Sequence, residues 1–319
     1  MRVTFWGTRG SLPTPLNARA VRKKLVNALV KGADKNLDTP EKAEAFCEQG
    51  LSFAESGTFG GNSSCVQVDV GGPDYLLCDL GSGVREFSLA AIAKHGPRAP
   101  QTYHILMSHV HWDHIMGFPF FIPCFIPGNR VVIYSCHDKV EQAIRYQNHT
   151  PCFPVEFTAL AAKIEFVKLE ADKSYDIAGA KIIGTRQMHV NDSYGYRIEK
   201  NGKTLVYTTD SEHKAEDKAE MLRAANFFKD ADLVIFDAMY SLADSISMKE
   251  DWGHSSNVMG VELCQIAGAR KLCLFHHEPA YDDTRLEDVF RETIRFEEIT
   301  RTDKKLDVAI AYDGLVIDV

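Results

Sequence analysis

The sequence predicts an α/β fold in which two β-sheets are covered by helices on both outer faces. From Phe59 onward, short apolar runs alternate with turn signals, a pattern typical of strands. These strands fall into two series, each followed by helices, so we expect two sheets. Of the 319 residues, 45% are hydrophobic and 25% are charged, which provides ample material for a core. Because α/β folds of this length often form one globular unit, we expect a single domain spanning residues 1–319.

Composition and charge argue against several classes of protein. The chain has 36 Lys and Arg against 44 Asp and Glu, and its net charge of -8 argues against duplex nucleic acid as a partner. No stretch approaches the roughly 18 apolar residues of a membrane span, and the N-terminus lacks the apolar region of a signal peptide. The eight cysteines form no CxxC pair and indicate reduced thiols. We therefore expect a cytoplasmic protein without a membrane partner.

The first elements are a short strand and a helical insertion. Residues 3–6 predict a strand that runs into the turn GTRGSLPTP, and residues 16–56 then predict a helical hairpin inserted in the domain. Its second helix begins at Pro40 and ends at Gly50. Its first helix has basic residues on its other faces and a series of apolar residues at helical spacing: Val21, Leu25, Val26, Leu29 and Val30. Two interpretations stay open, namely a solvated surface addition and a lid or dimer contact beside the active site.

The remaining elements follow in chain order. Strands are predicted at SSCVQVDV, DYLLCDL, TYHILMS, VVIYS, IEFVKLE, AKIIGTRQM, YGYRIEK, TLVYTTD, DLVIFDA and RKLCLFH. The dipeptide Asn201-Gly202 predicts a hairpin turn. Helices are predicted near residues 84–95, 137–147, 215–229, 255–268 and 283–299. The last segment, AIAYDGLVIDV, predicts a closing two-stranded hairpin.

The strongest chemical signal is the segment SHVHWDHIMG, which directly follows the apolar strand HILMS. It contains four metal-ligand residues within six positions: His109, His111, Asp113 and His114. Residues two apart in an extended or tightly turning segment point the same way, so His109 and His111 can reach one metal ion. Asp113 and His114 then turn toward a second ion. Imidazole and carboxylate ligands suit zinc, and manganese or iron stay as alternatives.

The pattern HxHxDH after a hydrophobic strand resembles the signature of the metallo-β-lactamase superfamily. The resemblance implies a four-layer αβ/βα sandwich with a dinuclear metal site between the two sheets. It also implies further ligands at strand ends, which are His189, Asp210 and His276 in this sequence. By resemblance, one metal would be bound by His109, His111 and His189, the other by Asp113, His114 and His276, and Asp210 would bridge both. His277 competes with His276 for the last position.

Three more residues are singled out by the resemblance. Asp79, at the end of YLLCDL, would support the histidine motif by accepting an imidazole N–H. Asp237 after DLVIF and His254 in DWGHSSN resemble an acidic residue and a histidine of ribonuclease Z-like members and related cyclic nucleotide phosphodiesterases. A protonated His254, oriented by Asp237, would stabilise the transition state or protonate the leaving oxygen. Asp113 and Asp210 would orient the attacking hydroxide.

Two further segments are candidates for substrate contact. The loop GTRGS would bring Thr8, Arg9 and Ser11 near a phosphate, although a tight turn explains its glycines equally well. The segment SYGYR at 193–197 offers two tyrosines and an arginine for base stacking or phosphate binding. Alternation along that strand means that only some of these side chains can face the site.

Together these features predict a dinuclear metal-dependent hydrolase, most simply a phosphodiesterase acting on a small phosphodiester such as a cyclic nucleotide. The chain lacks a recognisable long, basic, Gly/Pro-rich arm of the kind ribonuclease Z uses to grip transfer RNA. An RNA-processing nuclease and a lactone or thioester hydrolase stay as alternatives, and a metal-stabilised scaffold is a further one. A di-iron oxidoreductase is disfavoured because the metal motif lacks the expected acidic residue. Ribonuclease Z-like relatives imply a homodimer.

Overall fold

The computed structural model describes residues 1–241, 253–302 and 304–319, and within these ranges two seven-stranded β-sheets pack face to face. One hydrophobic core lies between the sheets, and a further core joins the outer face of each sheet to its helices. The layers therefore follow the order helix, sheet, sheet, helix. This arrangement confirms the predicted αβ/βα sandwich.

The first sheet is antiparallel at one end and parallel at the other. Its antiparallel pairs join β14 to β1, β1 to β2 and β2 to β3, and its strands from β3 to β6 are parallel. Across the sheet the strands are β14 (Val316–Asp318), β1 (Arg2–Gly7), β2 (Cys65–Asp69), β3 (Tyr75–Cys78), β4 (Thr102–Leu106), β5 (Arg130–Ser135) and β6 (Lys163–Lys168).

The second sheet has the same mixed character. Strands from β10 to β13 are parallel, whereas β7 to β10 form an antiparallel meander that includes the predicted Asn201-Gly202 turn. Across the sheet the strands are β13 (Asp307–Ile310), β12 (Lys271–Phe275), β11 (Leu233–Asp237), β10 (Lys203–Thr208), β9 (Ser193–Lys200), β8 (Ala180–Gln187) and β7 (Ser174–Ile177). Strand β7 was not predicted, because its short sequence SYDI carries no apolar run.

The α-helices cover the outer faces and supply the insertion between β1 and β2. In chain order they are α1 (Ala18–Lys31), α2 (Pro40–Gln49), α3 (Phe53–Ser56), α4 (Val84–His95), α5 (Trp112–Ile115), α6 (Val140–Gln147), α7 (Lys218–Phe228), α8 (Asn257–Ala267) and α9 (Asp283–Thr300). Short 3₁₀ turns occupy Phe118–Phe120, Ile122–Phe125 and Phe157–Ala159. In the described ranges, no helix combines the length and the apolar character that a membrane crossing requires.

Strand β3 shows why these apolar runs become buried strands. All four of its residues are buried, which matches a continuous apolar run better than an alternating one. Leu76 and Cys78 point into the core between the sheets, whereas Tyr75 and Leu77 point outward. The ring of Tyr75 meets Phe87 of α4 edge-on at 5.2 Å. Burial on both faces therefore locks the strand whose end carries Asp79.

The expected C-terminal hairpin is wrong. β13 pairs in parallel with β12 of the second sheet, and β14 pairs antiparallel with β1 of the first sheet. The chain crosses between the sheets at residues 311–315, where Phe5 of β1 donates to the carbonyl of Leu315 and accepts from the N–H of Gly314. These long-range bonds compete successfully with the local turn that the DG dipeptide suggests.

Strand direction places the polar residues of interest at one edge of the sandwich. β3, β4, β8, β10, β11 and β12 all run toward this edge. The residues at or just after the ends of these strands are, in the same order, Asp79, His109, His189, Asp210, Asp237 and His276. The topology therefore gathers residues separated by up to two hundred positions into one place.

Candidate metal centre

The metal-ligand motif adopts a loop followed by a single helical turn. His109 lies in the loop after β4, and His111 is the N-cap of α5, which contains Asp113 and His114. The side chains of Asp113 and His114 are buried, and so is that of His109. The short helix turns Asp113 and His114 away from His111, as the predicted division into two sets of ligands requires.

The first cluster of ligand atoms combines three histidines and one aspartate. The ligand atoms of His109, His111, His189 and Asp210 all lie within 4.8 Å of one another. His189 Nε2 is 3.1 Å from His111 Nδ1, and His109 Nε2 is 3.4 Å from Asp210 Oδ2. This set of nitrogen and oxygen donors matches the composition of a protein zinc site.

The second cluster shares Asp210 with the first. It consists of Asp113, His114, Asp210 and His276, again with ligand atoms within 4.8 Å. Asp210 Oδ1 lies 3.0 Å from His114 Nε2 and 3.1 Å from His276 Nε2, whereas its Oδ2 faces the first cluster. The two oxygens of one carboxylate therefore serve the two clusters, which are together suited to a dinuclear metal site.

The histidine nitrogens of the two clusters are arranged as cation ligands. The buried Nε2 of His109 has no hydrogen-bond partner among the described residues. His114 Nε2 and His276 Nε2 face each other at 3.3 Å. Burial disfavours the charged imidazolium and lowers the pKa of His109 to about 4, so this side chain is a neutral ligand at physiological pH. A buried, lone-pair-bearing nitrogen is costly without a partner, and a metal ion would provide one.

The carboxylates of the site are held in the charged form. Burial acts to raise the pKa of Asp210, but the neighbouring His114 and His276 outweigh it and keep this pKa well below its ordinary value. The pKa of Asp113 is lowered in the same way against the effect of burial, chiefly by His114. Both aspartates are thus ready to bind a cation.

Asp79 accepts hydrogen bonds that position the ligand histidines. Its Oδ2 accepts hydrogen bonds from His114 Nδ1 at 2.8 Å, from the Ser108 hydroxyl at 2.7 Å and from the Tyr207 hydroxyl at 2.8 Å. The Ser108 oxygen in turn lies 3.0 Å from His109 Nδ1. These contacts place the imidazole protons on Nδ1 and leave both Nε2 lone pairs facing the clusters. Asp79 thus occupies the supporting position that was predicted.

Three residues of the site have left-handed backbone conformations. The φ angles of Asp79, Asp210 and His276 are +60°, +34° and +59°. Non-glycine residues rarely adopt this region, and such strain is concentrated at functional sites. Each of the three follows the end of a strand, where the left-handed turn redirects its side chain toward the clusters.

Asp237 and His254 form a pair next to the second cluster. His254 Nδ1 lies 2.9 Å from Asp237 Oδ2, and the His254 ring stacks at 5.1 Å on that of His276. Burial acts to lower the pKa of His254, but the Asp237 carboxylate outweighs it, and the pKa is raised. Residues 251–252, at the start of the predicted DWGHSSN motif, lie outside the described residues.

Two backbone contacts were not anticipated from the sequence. His189 Nδ1 lies 2.7 Å from the carbonyl oxygen of Gly253, which fixes its tautomer and leaves Nε2 for the cluster. The backbone N–H of Ser11 donates to Asp113 Oδ2 at 2.9 Å. The sequence offered one signal for each contact. Gly253 stands directly before His254, and Ser11 belongs to the GTRGS loop.

The predicted phosphate contact of the GTRGS loop is wrong for two of its residues. Thr8 is buried, and its hydroxyl bonds to the Phe59 carbonyl. The guanidinium of Arg9 is buried as well and donates to the carbonyls of Gly60 and Tyr281. These side chains fasten the loop to the body, so of the three predicted residues Ser11 is the one that contacts the site, through its backbone N–H.

The segment SYGYR also lies away from the clusters. Tyr196 is buried in the core between the sheets, where its hydroxyl donates to the Met107 carbonyl, and Tyr194 packs against the same core. Arg197 donates to the carbonyls of Phe227 and Lys229. All three therefore have structural roles.

The competition between the two adjacent histidines is resolved by geometry. His276 reaches the second cluster, whereas His277 Nε2 bonds to the carbonyl of Ala311 at 2.7 Å. Burial lowers the pKa of His277 to about 3, which keeps its ring neutral. His277 joins the chain crossing at residue 311 to the end of β12.

Comparisons with known proteins found related sequences and similar folds. The sequence profile described as "Beta-lactamase superfamily domain" matches residues 75–277. A ribonuclease Z from Nostoc sp. is 26% identical over an alignment of 289 residues that covers 76% of this chain and 85% of that protein. A ribonuclease Z from Prochlorococcus marinus is 22% identical over 268 residues, covering 66% of this chain and 80% of that protein.

Solved structures share the fold at low sequence identity. The metallo-beta-lactamase fold protein YhfI from Bacillus subtilis superposes with a TM-score of 0.62 at 19% identity, covering 99% of this chain and 98% of its own. A diphosphatase from the PhnP family gives 0.61 at 19% identity, covering 100% and 97%. The short form of human tRNase Z gives 0.59 at 19% identity, covering 100% and 99%. These similarities concern the fold.

Proposed function

The chain belongs to the beta-lactamase superfamily, as the sequence predicted, and we propose that it is a dinuclear metal-dependent hydrolase that cleaves a small phosphodiester. The observation that carries this proposal is the position of the Asp237–His254 pair, whose imidazole stacks on the ring of His276. A protonated imidazole beside a cation-binding site is suited to a substrate whose leaving oxygen needs a proton.

The metal ligands are assigned as the two clusters of the preceding section. His109, His111 and His189 would hold one ion, Asp113, His114 and His276 the other, and Asp210 both. Two divalent cations held there would neutralise charge on phosphate oxygens and acidify a water molecule. Zinc is the first choice for these imidazole and carboxylate donors, with manganese or iron as alternatives.

Asp113 would orient the attacking water. The Ser11 N–H and His276 Nε2 both lie close to its Oδ2, at 2.9 Å and 3.1 Å. The Ser11 N–H donates to this oxygen and holds it in place, so the orientation of the group is set before a substrate arrives. Asp210 is held similarly between the two clusters. Positioning of this kind lowers the barrier without any reorganisation during the reaction.

His254 would act on the leaving oxygen. Its Nδ1–H is used by the Asp237 carboxylate, so its Nε2 is the atom available to substrate. Asp237 Oδ2 also accepts a hydrogen bond from the backbone N–H of Ser211 at 3.0 Å. This second contact holds the carboxylate in position beside the imidazole of His254. The raised pKa of His254 favours the protonated ring, which can give its proton to an alkoxide.

The surroundings of the clusters favour a small organic substrate. Four exposed apolar side chains each stand next to a residue of the site: Leu12, Trp112, Met188 and Val190. Arg186, on the strand that leads to His189, is paired with Asp192 at 2.6 Å. A polyanionic RNA would gain from free cations at this edge, whereas a nucleobase or other apolar substituent would gain from contact with the aromatic and aliphatic groups. A cyclic nucleotide carries one phosphodiester and one nucleobase, so it suits this edge of the protein.

The second candidate is a nuclease that processes RNA. It is favoured by the similarity to proteins named ribonuclease Z over two thirds or more of the chain. It shares the metal ligands and the Asp237–His254 pair with the first candidate. The two differ only in the size and charge of the substrate.

The test measures bound metal and turnover on the same protein. Metal analysis is combined with bis-p-nitrophenyl phosphate, 2′,3′- and 3′,5′-cyclic nucleotides and a single-stranded RNA, for wild type and His254→Ala. His149→Ala is the matched control, because His149 is an exposed histidine that pairs with Glu156. We expect about two metals per chain, and phosphodiester turnover that falls by about 10²–10⁴-fold only in His254→Ala. Metal-loaded protein that hydrolyses a lactone or thioester but no phosphodiester would overturn the proposal.

We also propose that the protein acts in the cytoplasm. All eight cysteines are free thiols, and six of them are buried. Thiols kept in this state are typical of a reducing compartment.

A further inference from the structure

We propose that α1 and α2 form a surface through which two copies of this chain associate about a two-fold axis. The proposal concerns the inserted segment and goes beyond the hydrolase reaction. It starts from α1, where five large aliphatic side chains are exposed to solvent on a helix that contains no buried residue.

The inner face of α1 is fastened mainly by polar contacts. Lys24 Nζ lies 2.6 Å from Asp283 Oδ2 and 2.7 Å from the carbonyl oxygen of Gly57. Lys31 pairs with Glu55 at 2.7 Å. The side chains of Ala20 and Ala28, which complete this face, are half-buried. Two lysines and two alanines therefore turn the aliphatic side chains of the helix away from the body.

The outward face consists of aliphatic residues at helical spacing. Leu29 is 74% exposed and Val30 71%, and Leu25 is 59% exposed. Val21, Leu25 and Leu29 follow one another at intervals of four and so form a continuous stripe along the helix. Contiguous apolar surface of this kind is uncommon on a monomer and marks an interaction site.

The charges of the hairpin favour a second copy as the occupant. Besides Lys31, which pairs with Glu55, α1 carries three exposed cations and no acidic residue, namely Arg19, Arg22 and Lys23. α2 carries three exposed carboxylates, namely Glu41, Glu44 and Glu48. Within the described residues none of these six groups forms an ion pair. Each copy therefore presents one basic and one acidic helix that its own fold leaves unmatched.

Two-fold symmetry satisfies these requirements together. In an isologous interface the same patch meets itself, so the α1 stripes of two copies can pack against each other. The basic edge of each α1 then faces the acidic α2 of the other copy, and this contact occurs twice. An anionic membrane would match α1 but would be repelled by α2 and by the net charge of -8.

The experiment is mass determination by light scattering after gel filtration, over a range of protein concentrations. Wild type is expected to be a dimer. Leu25→Glu/Leu29→Glu is expected to be a folded monomer with an unchanged circular dichroism spectrum, because both side chains are exposed in a single copy. Ile299→Glu is the matched control, since Ile299 is 69% exposed on α9, away from the hairpin. A wild type that stays monomeric throughout, or a double variant that stays dimeric, would overturn the proposal.

Charge reversal separates the two-fold arrangement from other assemblies. One variant reverses α1 (Arg19→Glu/Arg22→Glu/Lys23→Glu), and another reverses α2 (Glu41→Lys/Glu44→Lys/Glu48→Lys). Each variant alone is expected to be a monomer, because both of its α1–α2 contacts would join like charges. An equimolar mixture is expected to form dimers. In a mixed dimer one α1–α2 contact keeps the wild-type charges, and in the other contact both partners are reversed, so both contacts are attractive. A mixture that stays monomeric would exclude the α1–α2 pairing. Binding of wild type to phosphatidylserine vesicles that is lost in Leu25→Glu/Leu29→Glu would instead assign the stripe to a membrane.

Discussion

His114 and Asp79 are joined at 2.8 Å between Nδ1 and Oδ2, and both side chains are fully buried. Because the carboxylate can only accept, the imidazole proton is fixed on Nδ1, and Nε2 is left for the second cluster. The same carboxylate oxygen accepts from the hydroxyls of Ser108 and Tyr207. One aspartate thus links the metal motif to strands of both sheets.

Asp79→Asn is expected to weaken metal binding without preventing folding. The amide can present its N–H₂ toward His114 Nδ1, which disfavours the required tautomer, and the loss of charge reduces ligand basicity. A 10–100-fold decrease in metal affinity is expected, measured by competition with a chromophoric chelator. Asp74→Asn is the control, because Asp74 also contacts a histidine, His104, but lies outside the site. Equal affinity in wild type and Asp79→Asn would show that Asp79 only packs.

Gly253→Ala is expected to disturb the first cluster. A Cβ at this position would lie 2.5 Å from His189 Nδ1, and the φ of +82° disfavours any side chain. The His189 ring must then move away from His111 and Asp210. We expect loss of about one metal per chain by elemental analysis. Gly202→Ala is the matched control, since it has a φ of +73° with nothing within 4 Å, and it is expected to retain both metals.

The metal-ligand residues were easier to predict from the sequence than the residues that hold them in position. The HxHxDH motif was predicted from its own residues, and the family resemblance added His189, Asp210 and His276. Strand direction then gathers all of these residues at one edge. Tyr207 and Gly253 carry no such signal, because their roles depend on which strand or loop lies opposite. The left-handed φ of His276 likewise follows from tertiary contacts.

The wrong predictions have a common physical origin. Arg9 is a cation in a glycine-rich loop, which suggests phosphate binding, yet its donors are used by carbonyls that belong to distant segments. The two final strands have the local signal of a hairpin, yet Phe5 of β1 bonds to the intervening turn and separates them. Local patterns cannot include partners that lie about 50 to 310 positions away.

Lys24→Met is expected to destabilise the protein at the base of the insertion. The substitution removes the partner of Asp283, whose side chain is 3% exposed, and leaves a buried carboxylate beside Thr58 and Phe59. Breaking such a pair costs about 3–5 kcal/mol in free energy of unfolding, measurable by urea denaturation. Lys31→Met, which removes the exposed pair with Glu55, should cost at most about 1 kcal/mol. A similar loss in both variants would contradict the prediction, and Lys24→Met/Asp283→Asn should recover part of the loss.

Glu297 is expected to contribute stability that disappears in acid. Arg301 binds its carboxylate through two nitrogens at 2.6 Å and 2.9 Å, and the Leu306 N–H donates to it at 2.8 Å. The hydrogen bonds from Arg301 are the largest influence and lower the pKa of Glu297 below its ordinary value of 4.5. A carboxylate whose pKa is lower in the folded state stabilises the protein above the unfolded pKa, and this contribution is lost as the pH falls through the folded one.

Glu297→Gln should therefore lower the free energy of unfolding by about 1–3 kcal/mol near neutral pH, because a charged hydrogen-bond network is replaced by a neutral one. The difference from wild type should shrink as the pH is lowered through about 4.5, the region where the unfolded carboxyl titrates. Urea denaturation of both proteins across this range measures the difference directly and cancels the titration of the metal ligands. Glu298→Gln, at the neighbouring exposed position, serves as the control and should show little effect at any pH. A deficit in Glu297→Gln that stays constant with pH would mean that Glu297 acts through packing rather than through its charge.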